Sequence, residues 1–268
     1  MNTIDNNIIC AIKNFPLPAT FNSDTCDIVF SPELICKSSA NKSTYQMRNL
    51  LRHPDYTREE IFYTFYEGVM KKKDAPIFKK NMIRYDLIVV QPGIILDEYK
   101  KTSGHYHCKV PDQEISYPEI YEVMQGSALF ILQKCNAHGK ISEVFAVRGN
   151  PGDKLVVPPD YGHVTINIGN EPLIFADLVS SKCSNMYGQI GENHGMSYYV
   201  LKNNEGEFRL INNPAYNDVA EINLTDISEN PALGIWRDRP IYSEFVNNPS
   251  LFEYLNTPAN YLDKFIKF

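Results

Sequence analysis

The sequence predicts an all-β protein, and two features of its central part carry this prediction. From about residue 84 to residue 211, short runs rich in β-branched and aromatic residues follow one another along the chain. Turn-forming glycine, proline and asparagine residues separate these runs. Such a succession is typical of a many-stranded antiparallel sandwich or barrel. The predicted strands are 85–90, 94–99, 120–124, 128–133, 142–147, 154–157, 164–168, 173–179, 197–202 and 207–211.

The segments on either side of these strands have a different character. Residues 1–55 combine polar residues with several prolines and show no sustained period, so we expect an irregular N-terminal arm packed against a core. The barrel is predicted to span 56–213. Its first run, 61–66, is rich in strand formers but follows a helix-capping pattern, so a strand and a short helix are both open. Residues 214–268 form a predicted C-terminal extension with short amphipathic helices at 249–255 and 261–265. We expect one domain over 1–268.

Composition limits the classes of function and partner. The 268 residues, 43% of them hydrophobic, are enough to bury a sizeable core. A net charge of −6 offers no basic face for a phosphate backbone, so we expect no nucleic-acid partner. No apolar run approaches the roughly 18–20 residues that cross a bilayer, and the N-terminus lacks a signal-peptide pattern. We therefore expect a cytoplasmic protein without a membrane partner, whose six widely spaced cysteines are reduced thiols.

Three histidines and a glutamate are the candidate metal ligands. His105 and His107 are two residues apart, so in a strand both imidazoles point to the same face. A second region contributes His163. Three imidazoles and one carboxylate suit Fe2+, Mn2+, Ni2+ or Zn2+, with positions left for water or substrate. The carboxylate is either Glu119 or Glu114, which is nearer to the histidines along the chain.

These residues lie in patterns that resemble the two sequence motifs of the cupin superfamily. The pair His-x-His, followed by Glu119 with six residues between it and Gly126, matches the first motif. That Glu-to-Gly spacing favours Glu119 over Glu114, and residues 110–117 are then interpreted as a loop insertion. The second motif is matched by Gly152-x5-Pro158-x4-His163-x3-Asn167. Asp160 stands where the general pattern has glycine, a departure at a turn that leaves the candidate ligands intact.

Longer phrases between roughly residue 63 and residue 213 resemble the cupin-type glucose-6-phosphate isomerases. They are 102–107 (TSGHYH), 118–121 (PEIY), 128–133 (ALFILQ), 158–163 (PPDYGH) and 167–173 (NIGNEPL). The resemblance implies a double-stranded β-helix, the cupin jelly-roll barrel. It also implies an aldose/ketose isomerase that interconverts glucose 6-phosphate and fructose 6-phosphate as a homodimer. One divalent metal ion per subunit is implied, with Fe2+ expected ahead of Mn2+, Ni2+ and Zn2+.

Carried over by position, the resemblance also implies the roles of individual residues. The metal ligands are His105, His107, Glu119 and His163. Glu119 and Tyr121 are the implied catalytic residues, and the implied substrate contacts are Tyr63, Thr102, Gly104, Tyr121 and Tyr187. Two positions depart from the closest family pattern, because Val179 replaces a tyrosine and Asn185 replaces a histidine. These departures leave substrate preference less determined than the metal site.

Two alternatives and one mechanistic choice stay open at the level of sequence. Another metal-dependent cupin enzyme, such as an oxygenase or another sugar isomerase, would use the same ligand set, because one fold hosts many functions. A non-catalytic cupin that binds sugar phosphate would also keep the barrel. For an isomerase, an enediol route needs a carboxylate to carry the proton, for which Glu119 is the candidate. In a hydride shift, the metal and Tyr121 only orient and polarise the substrate.

Overall fold

The computed structural model describes residues 9–11 and 15–265 and consists mainly of short β-strands. No helix in these ranges is long and apolar enough to cross a membrane. The strands are β1 (Ile9–Ala11), β2 (Ala19–Asn22), β3 (Asp27–Phe30), β4 (Leu34–Ile35), β5 (Ser38–Ser43), β6 (Ile61–Glu67), β7 (Met70–Lys71), β8 (Ile83–Val90), β9 (Ile94–Ile95), β10 (Glu98–Tyr99), β11 (Tyr106–His107), β12 (Glu119–Gln125), β13 (Ala128–Cys135), β14 (Ile141–Gly149), β15 (Lys154–Val157), β16 (Tyr161–Asn167), β17 (Leu173–Ser180), β18 (Asn185–Met186), β19 (Tyr198–Lys202), β20 (Phe208–Asn212) and β21 (Ile222–Asp226).

Helices are few and short. The α-helices are α1 (Thr44–Met47), α2 (Ala75–Asn81), α3 (Gly188–Glu192) and α4 (Ile241–Asn247). Single turns or short stretches of 3-10 helix lie at Arg48–Leu50, Lys72–Asp74, Pro231–Leu233, Pro249–Leu255 and Pro258–Tyr261. Because α-helices of this length are marginal on their own, packing against the sheets must hold them in place.

The largest sheet has six antiparallel strands in the order β15-β12-β17-β8-β6-β5. All eight residues of β17 are buried, which accounts for its continuous apolar character in the sequence. The register places Tyr121 of β12 opposite Asp177 of β17, and Asp177 opposite Asp86 of β8. Directly opposite residues share a face of the sheet, so these polar side chains project together from its inner face.

A second sheet, β16-β13-β14-β21, faces the first across an apolar core. Its first three strands are antiparallel, and β21 joins β14 in parallel. Tyr121 and Phe175 from the large sheet pack in this core with Phe130 from the second. The rings of Tyr121 and Phe130 stack with centroids 5.6 Å apart. Two sheets packed face to face in this way have the arrangement of a jelly roll, although they do not close into a barrel. The predicted all-β jelly-roll class is confirmed.

The outer face of the large sheet is covered by both ends of the described chain. Tyr242 of α4 packs edge-on against Tyr85 of β8, with ring centroids 5.1 Å apart. Its hydroxyl donates to Asp74 at 2.8 Å and accepts from the backbone N–H of Lys71. The Tyr66 hydroxyl accepts from the backbone N–H of Ile28, which ties β3 to the same face. The C-terminal extension therefore covers a sheet face within the same chain.

Several local predictions differ from the structure. Within the described residues, 1–55 is not an irregular arm, because β2 and β3 form a hairpin and β5 extends the large sheet. The β5 residues SSANKS are polar since this edge strand pairs on one side only, so no apolar alternation marks it.

Other elements also differ from the predictions or complete them. Residues 61–66 form a strand, and the predicted strand 94–99 is a tight hairpin with Leu96 at φ 60°. Strand β21 and helix α4 were not predicted, and 249–255 is 3-10 rather than α-helical.

Candidate metal centre and cavity

The backbone fixes the relative positions of the two histidine-bearing segments. The N–H of His105 donates to the carbonyl of His163 at 3.1 Å, and the N–H of His163 donates back at 3.0 Å. His107 follows in β11, where it lies opposite Asn185 of β18. Glu119 is the first residue of β12 and lies opposite Val157 on one side and Val179 on the other. The side chains thus come from three strands whose register is set by ladder hydrogen bonds.

These four side chains converge on one point. One ligand atom from each of His105, His107, Glu119 and His163 lies within 4.8 Å of every other. Glu119 Oε2 is 3.1 Å from His163 Nε2 and 3.4 Å from His107 Nε2. Glu114 lies outside this group, because it is exposed and pairs with Lys109 on the 110–117 loop. The geometry therefore brings Glu119, and not Glu114, to the histidines.

The second nitrogen of each imidazole is held by a backbone carbonyl. His107 Nδ1 is 2.8 Å from the carbonyl oxygen of Tyr117, and His105 Nδ1 is 3.2 Å from that of Ser103. His163 Nδ1 lies 3.3 Å from the carbonyl oxygen of Tyr161. A carbonyl only accepts hydrogen bonds, so each Nδ1 carries the proton and each Nε2 presents a lone pair.

The inward-facing atoms have no other partner. Among the described residues, the three Nε2 atoms and Glu119 Oε2 are buried without a hydrogen bond of acceptable geometry. Buried polar atoms are normally paired, so four orphaned atoms around one point need an explanation. Three imidazole lone pairs and a carboxylate oxygen are a donor set for a divalent cation. The site fits a single divalent metal ion.

Burial and mutual contact shift the protonation of these groups. Burial, reinforced by the facing imidazoles of His163 and His107, holds the pKa of His105 well below its usual value. Burial likewise lowers the pKa of His163. For Glu119, burial acts to raise the pKa, but the adjacent His107 and His163 imidazoles outweigh it and hold the pKa well below its usual value. Neutral imidazoles beside an ionised carboxylate are the protonation states that bind metal.

Asp160, the departure from the cupin motif, occupies the turn that leads into β16. Its φ of 69° lies in the left-handed region, which explains why glycine is usual at this position. Ser116 stabilises the conformation, since its Oγ accepts from the Asp160 N–H at 2.7 Å and its N–H donates to Asp160 Oδ1 at 2.9 Å. Aspartate tolerates this conformation better than most residues, so the turn and the position of His163 are preserved.

A cavity of about 370 Å³ opens beside the four candidate ligands. His105, Glu119 and Tyr121 line its inner end. Its volume is in the range of small-molecule sites. The cavity lies between the inner face of the large sheet and the segment that carries Thr102 and Ser103.

The predicted substrate contacts lie around this cavity. Tyr63, Thr102, Tyr121 and Tyr187 line it, and the Tyr63 hydroxyl donates to Ser103 Oγ at 3.1 Å. Tyr187 is 46% exposed and stands at the opening, with its ring 5.5 Å from that of His105.

Gly104 lies in the segment between Ser103 and His105, at a position where an added Cβ would be 3.1 Å from Met196 Sδ. The two departures from the family pattern are also close by, since Asn185 lines the cavity and Val179 lies opposite Glu119.

The cavity also contains charged residues that sequence reasoning did not identify. Lys42, Arg84, Asp86 and Asp177 all line it. Arg84 Nε donates to Asp86 at 2.6 Å, and burial raises the pKa of Asp86 to about 6. Burial, with the charges of Asp86 and Glu119, raises the pKa of Asp177 well above its usual value. A signal was present, because an acid inside the apolar run LIFADLVS is unexpected unless it has a specific role.

Sequence comparison agrees with this geometry. Residues 37–217 match the family model described as glucose-6-phosphate isomerase (GPI). This span includes all four candidate ligands and the cavity. The chain belongs to the glucose-6-phosphate isomerase family. The resemblance to its cupin-type members is thereby confirmed.

Curated relatives carry the same name. Glucose-6-phosphate isomerase of Pyrococcus furiosus is 30% identical over 160 residues, which covers 56% of this chain and 78% of the relative. That of Pyrococcus horikoshii is 29% identical over 201 residues, covering 75% of this chain and 97% of the relative. Among solved structures, an oxalate oxidase covers 44% of this chain and 50% of its own, with a TM-score of 0.33 and 15% identity. With so low a structural score, the family assignment rests on the sequence matches alone.

Proposed function

We propose that this protein is a metal-dependent isomerase that interconverts glucose 6-phosphate and fructose 6-phosphate. The observation that carries the proposal is the convergence of four buried, unpartnered donor atoms beside a cavity, in a chain of the glucose-6-phosphate isomerase family. The site geometry and the family membership are both needed. A metal site fits many reactions, and family membership does not show that this chain keeps the site.

The ion is held by His105, His107, Glu119 and His163 in this proposal, and Fe2+ is the expected ion. Its chemistry is that of a Lewis acid, which polarises the sugar carbonyl and lowers the pKa of the neighbouring hydroxyl. The three backbone carbonyls behind the imidazoles keep each Nε2 turned inward, so the ligand geometry exists before binding.

Glu119 and Tyr121 act on the reacting carbons in this proposal. Isomerisation moves a hydrogen between C2 and C1 of the sugar. The lowered pKa of Glu119 keeps it ionised but also weakens it as a base. In an enediol route its carboxylate accepts the C2 proton and returns it to C1. Burial raises the pKa of Tyr121 well above its usual value, so its hydroxyl stays protonated and can donate to a sugar oxygen in either route. Isomerisation in D2O distinguishes the routes, because only the enediol route introduces solvent deuterium into the product.

The phosphate end of the substrate lies against the segment of Thr102 and Gly104 in this proposal. The Thr102 hydroxyl accepts from the N–H of Thr165 at 3.1 Å and retains its own O–H to donate. The N–H groups of Thr102, Ser103 and His105 donate to other parts of the chain, so the Gly104 N–H is the backbone donor that this segment offers an anion. Tyr63 and Tyr187 complete the binding surface along the sugar.

The test is a coupled glucose-6-phosphate isomerase assay on purified protein before and after chelation. We expect activity that chelation removes and that one of the four divalent ions restores, together with about one bound ion per chain by elemental analysis. Full activity in demonstrably metal-free protein would contradict the mechanism. Binding of fructose 6-phosphate without conversion would instead favour the non-catalytic alternative, and oxygen consumption would favour an oxygenase.

We further propose that the protein works as a homodimer in the cytoplasm, with a sugar phosphate as its small-molecule partner and no nucleic-acid or membrane partner. The support is the cupin-type resemblance and the acidic composition. Sedimentation equilibrium would give twice the chain mass if the dimer proposal is right.

A further inference from the structure

Asp177 is a buried acid in the cavity that the proposed mechanism does not use. It lies in the middle of β17, is 3% exposed and lines the cavity beside the candidate metal centre. Among the described residues, its Oδ1 atom has no hydrogen-bond partner. Leaving a buried polar oxygen unpaired destabilises the fold, so a group in the cavity is the expected partner.

The neighbouring acid Asp86 provides an internal comparison. Asp86 lies opposite Asp177 on the adjacent strand and is equally buried. Both of its oxygens are occupied, one by the backbone N–H of Gly68 at 2.8 Å and the other by Arg84 Nε at 2.6 Å. Asp86 therefore has a structural role that explains its presence. Asp177 differs because one of its two oxygens remains available to a ligand.

The position of Asp177 relative to the reacting centre follows from the sheet register. Asp177 lies directly opposite Tyr121 and diagonally opposite Glu119, whose direct partner is Val179. Diagonal neighbours on one face are separated by about 7–8 Å between backbones, within reach of long side chains and of a ligand that lies between them. A sugar whose C1 and C2 oxygens are at Glu119 and Tyr121 therefore extends its next carbons past Asp177.

Resting on the proposed function, we propose that Asp177 hydrogen-bonds a hydroxyl group on C3 or C4 of the sugar and so contributes to the choice of sugar phosphate. An ionised carboxylate accepts a hydrogen bond from a hydroxyl, and a protonated carboxyl group both donates and accepts. The contact is therefore available in either protonation state. A site built to bond a hydroxyl discriminates against sugars that lack it, because its own buried oxygen is then left unpaired.

A purely structural role makes a different prediction. If Asp177 served only to orient Glu119, replacing it would weaken metal binding and lower activity equally for every sugar. If it bonds a sugar hydroxyl, the loss depends on which hydroxyl the substrate carries, and metal content stays the same. The two roles are thus separable by pairing a protein variant with substrate analogues.

The experiment compares Asp177→Ala and Asp177→Asn with wild type on glucose 6-phosphate and on its 3-deoxy and 4-deoxy analogues. For Asp177→Ala we expect kcat/KM on glucose 6-phosphate to fall about tenfold, equivalent to about 1.4 kcal/mol, with metal content unchanged. The fall should vanish with one of the two deoxy analogues, since the variant and that analogue remove the same bond. Asp177→Asn should retain most activity because an amide still bonds a hydroxyl. The matched control is Asp74→Ala, which removes a buried acid bonded to Tyr242 outside the cavity. For this control, any change in kcat/KM should be the same on all three sugars.

An equal loss on all three sugars, or a loss that follows metal content, would overturn the inference. If the Ala variant does not fold, kcat/KM of the wild type on the three sugars still tests the inference. A wild-type protein that converts both deoxy analogues as well as glucose 6-phosphate makes no such contact. Wild-type conversion of glucose 6-phosphate is measured first. Its absence would refute the proposed function, and the inference with it, whereas conversion without analogue dependence refutes the inference alone.

Discussion

Metal binding should stabilise the protein strongly, and removing one ligand should abolish most of that effect. The wild-type protein, stripped of metal, has four buried donor atoms without partners, each of which costs on the order of 1–3 kcal/mol. An ion that satisfies all four binds only the folded state, because the ligands are separated by up to 58 residues in the unfolded chain, from His105 to His163. The chosen perturbation is His163→Gln, a substitution at the centre of the site.

The size of the effect follows from ligand linkage. An ion present at 100 times its dissociation constant stabilises the folded state by about 2.7 kcal/mol. For a chain of this length, each kcal/mol raises Tm by roughly 2–4 °C, so the expected rise is about 5–10 °C. If losing one of four ligands weakens affinity about 100-fold, the same ion concentration stabilises the variant by only about 0.4 kcal/mol. The expected rise for His163→Gln is then about 1 °C.

Thermal unfolding of chelated protein, with and without each of the four candidate ions, measures this difference. His138→Gln is the matched control, because His138 is an exposed turn residue outside the site and should leave the full rise unchanged. The reasoning is refuted if no ion raises the wild-type Tm, or if His163→Gln keeps the wild-type rise at equal ion concentration.

Three other changes test the site from different directions. Burial and the facing imidazoles lower the pKa of His105 in the folded chain from its usual value of 6.5. At a pH below 6.5, His105 therefore binds a proton in the unfolded chain but not in the folded chain. The free energy of unfolding of the metal-free protein should therefore fall as pH decreases, by up to about 1.4 kcal/mol per histidine per pH unit. Urea titrations at about pH 7.5 and 5.5 measure this fall, which should be smaller in His105→Gln. Gly162→Ala should lower the free energy of unfolding by about 1–3 kcal/mol and weaken metal binding. The reason is that its Cβ would lie 2.5 Å from the Tyr106 ring, between the two ligand strands. Calorimetric metal titrations measure the binding, and Gly188→Ala, with open space around it, is the control. Lys42→Gln should raise KM for the sugar phosphate several-fold with little change in kcat, since Lys42 lines the cavity and forms no ion pair with any described residue. The rise in KM should be smaller at high salt, because screening already reduces the attraction between Lys42 and the phosphate.

Part of the candidate metal centre could be predicted because its information is local in sequence, whereas joining the parts needed the family motifs. His105 and His107 are two residues apart, and the strand period alone puts them on one face. The turn at Asp160, three residues before His163, follows a short-range backbone rule of the same kind. The choice of Glu119 over Glu114 needed the motif spacing. The structure shows the physical reason, since the Glu114 side chain is exposed beside Lys109 whereas Glu119 is buried with the histidines.

The cavity wall could not be predicted because it depends on the register of strands far apart in sequence. Asp86 and Asp177 become neighbours only when β8 pairs with β17, 91 residues away, with one alignment of partners. A relative shift of one residue between the two strands would put the two acids on opposite faces of the sheet. Strand β5 was missed for a related reason, since an exposed edge strand needs no apolar pattern and its pairing with β6 is made by the backbone.

The buried acids of the large sheet differ in whether their hydrogen bonds are complete. Asp86 has two donors, and Glu122 accepts from Lys154 and from the N–H of Ile241. Outside the cavity, the buried hydroxyls of Tyr85 and Tyr254 also have no partner among the described residues, so a missing bond alone does not mark a binding site. Where bonds are missing at the cavity, the orphaned atoms belong to the four candidate ligands and to Asp177. A chain selected only to fold would gain stability by replacing these five side chains with apolar ones. The proposed metal ion and a hydroxyl-rich ligand bound beside it would complete both sets of bonds at once.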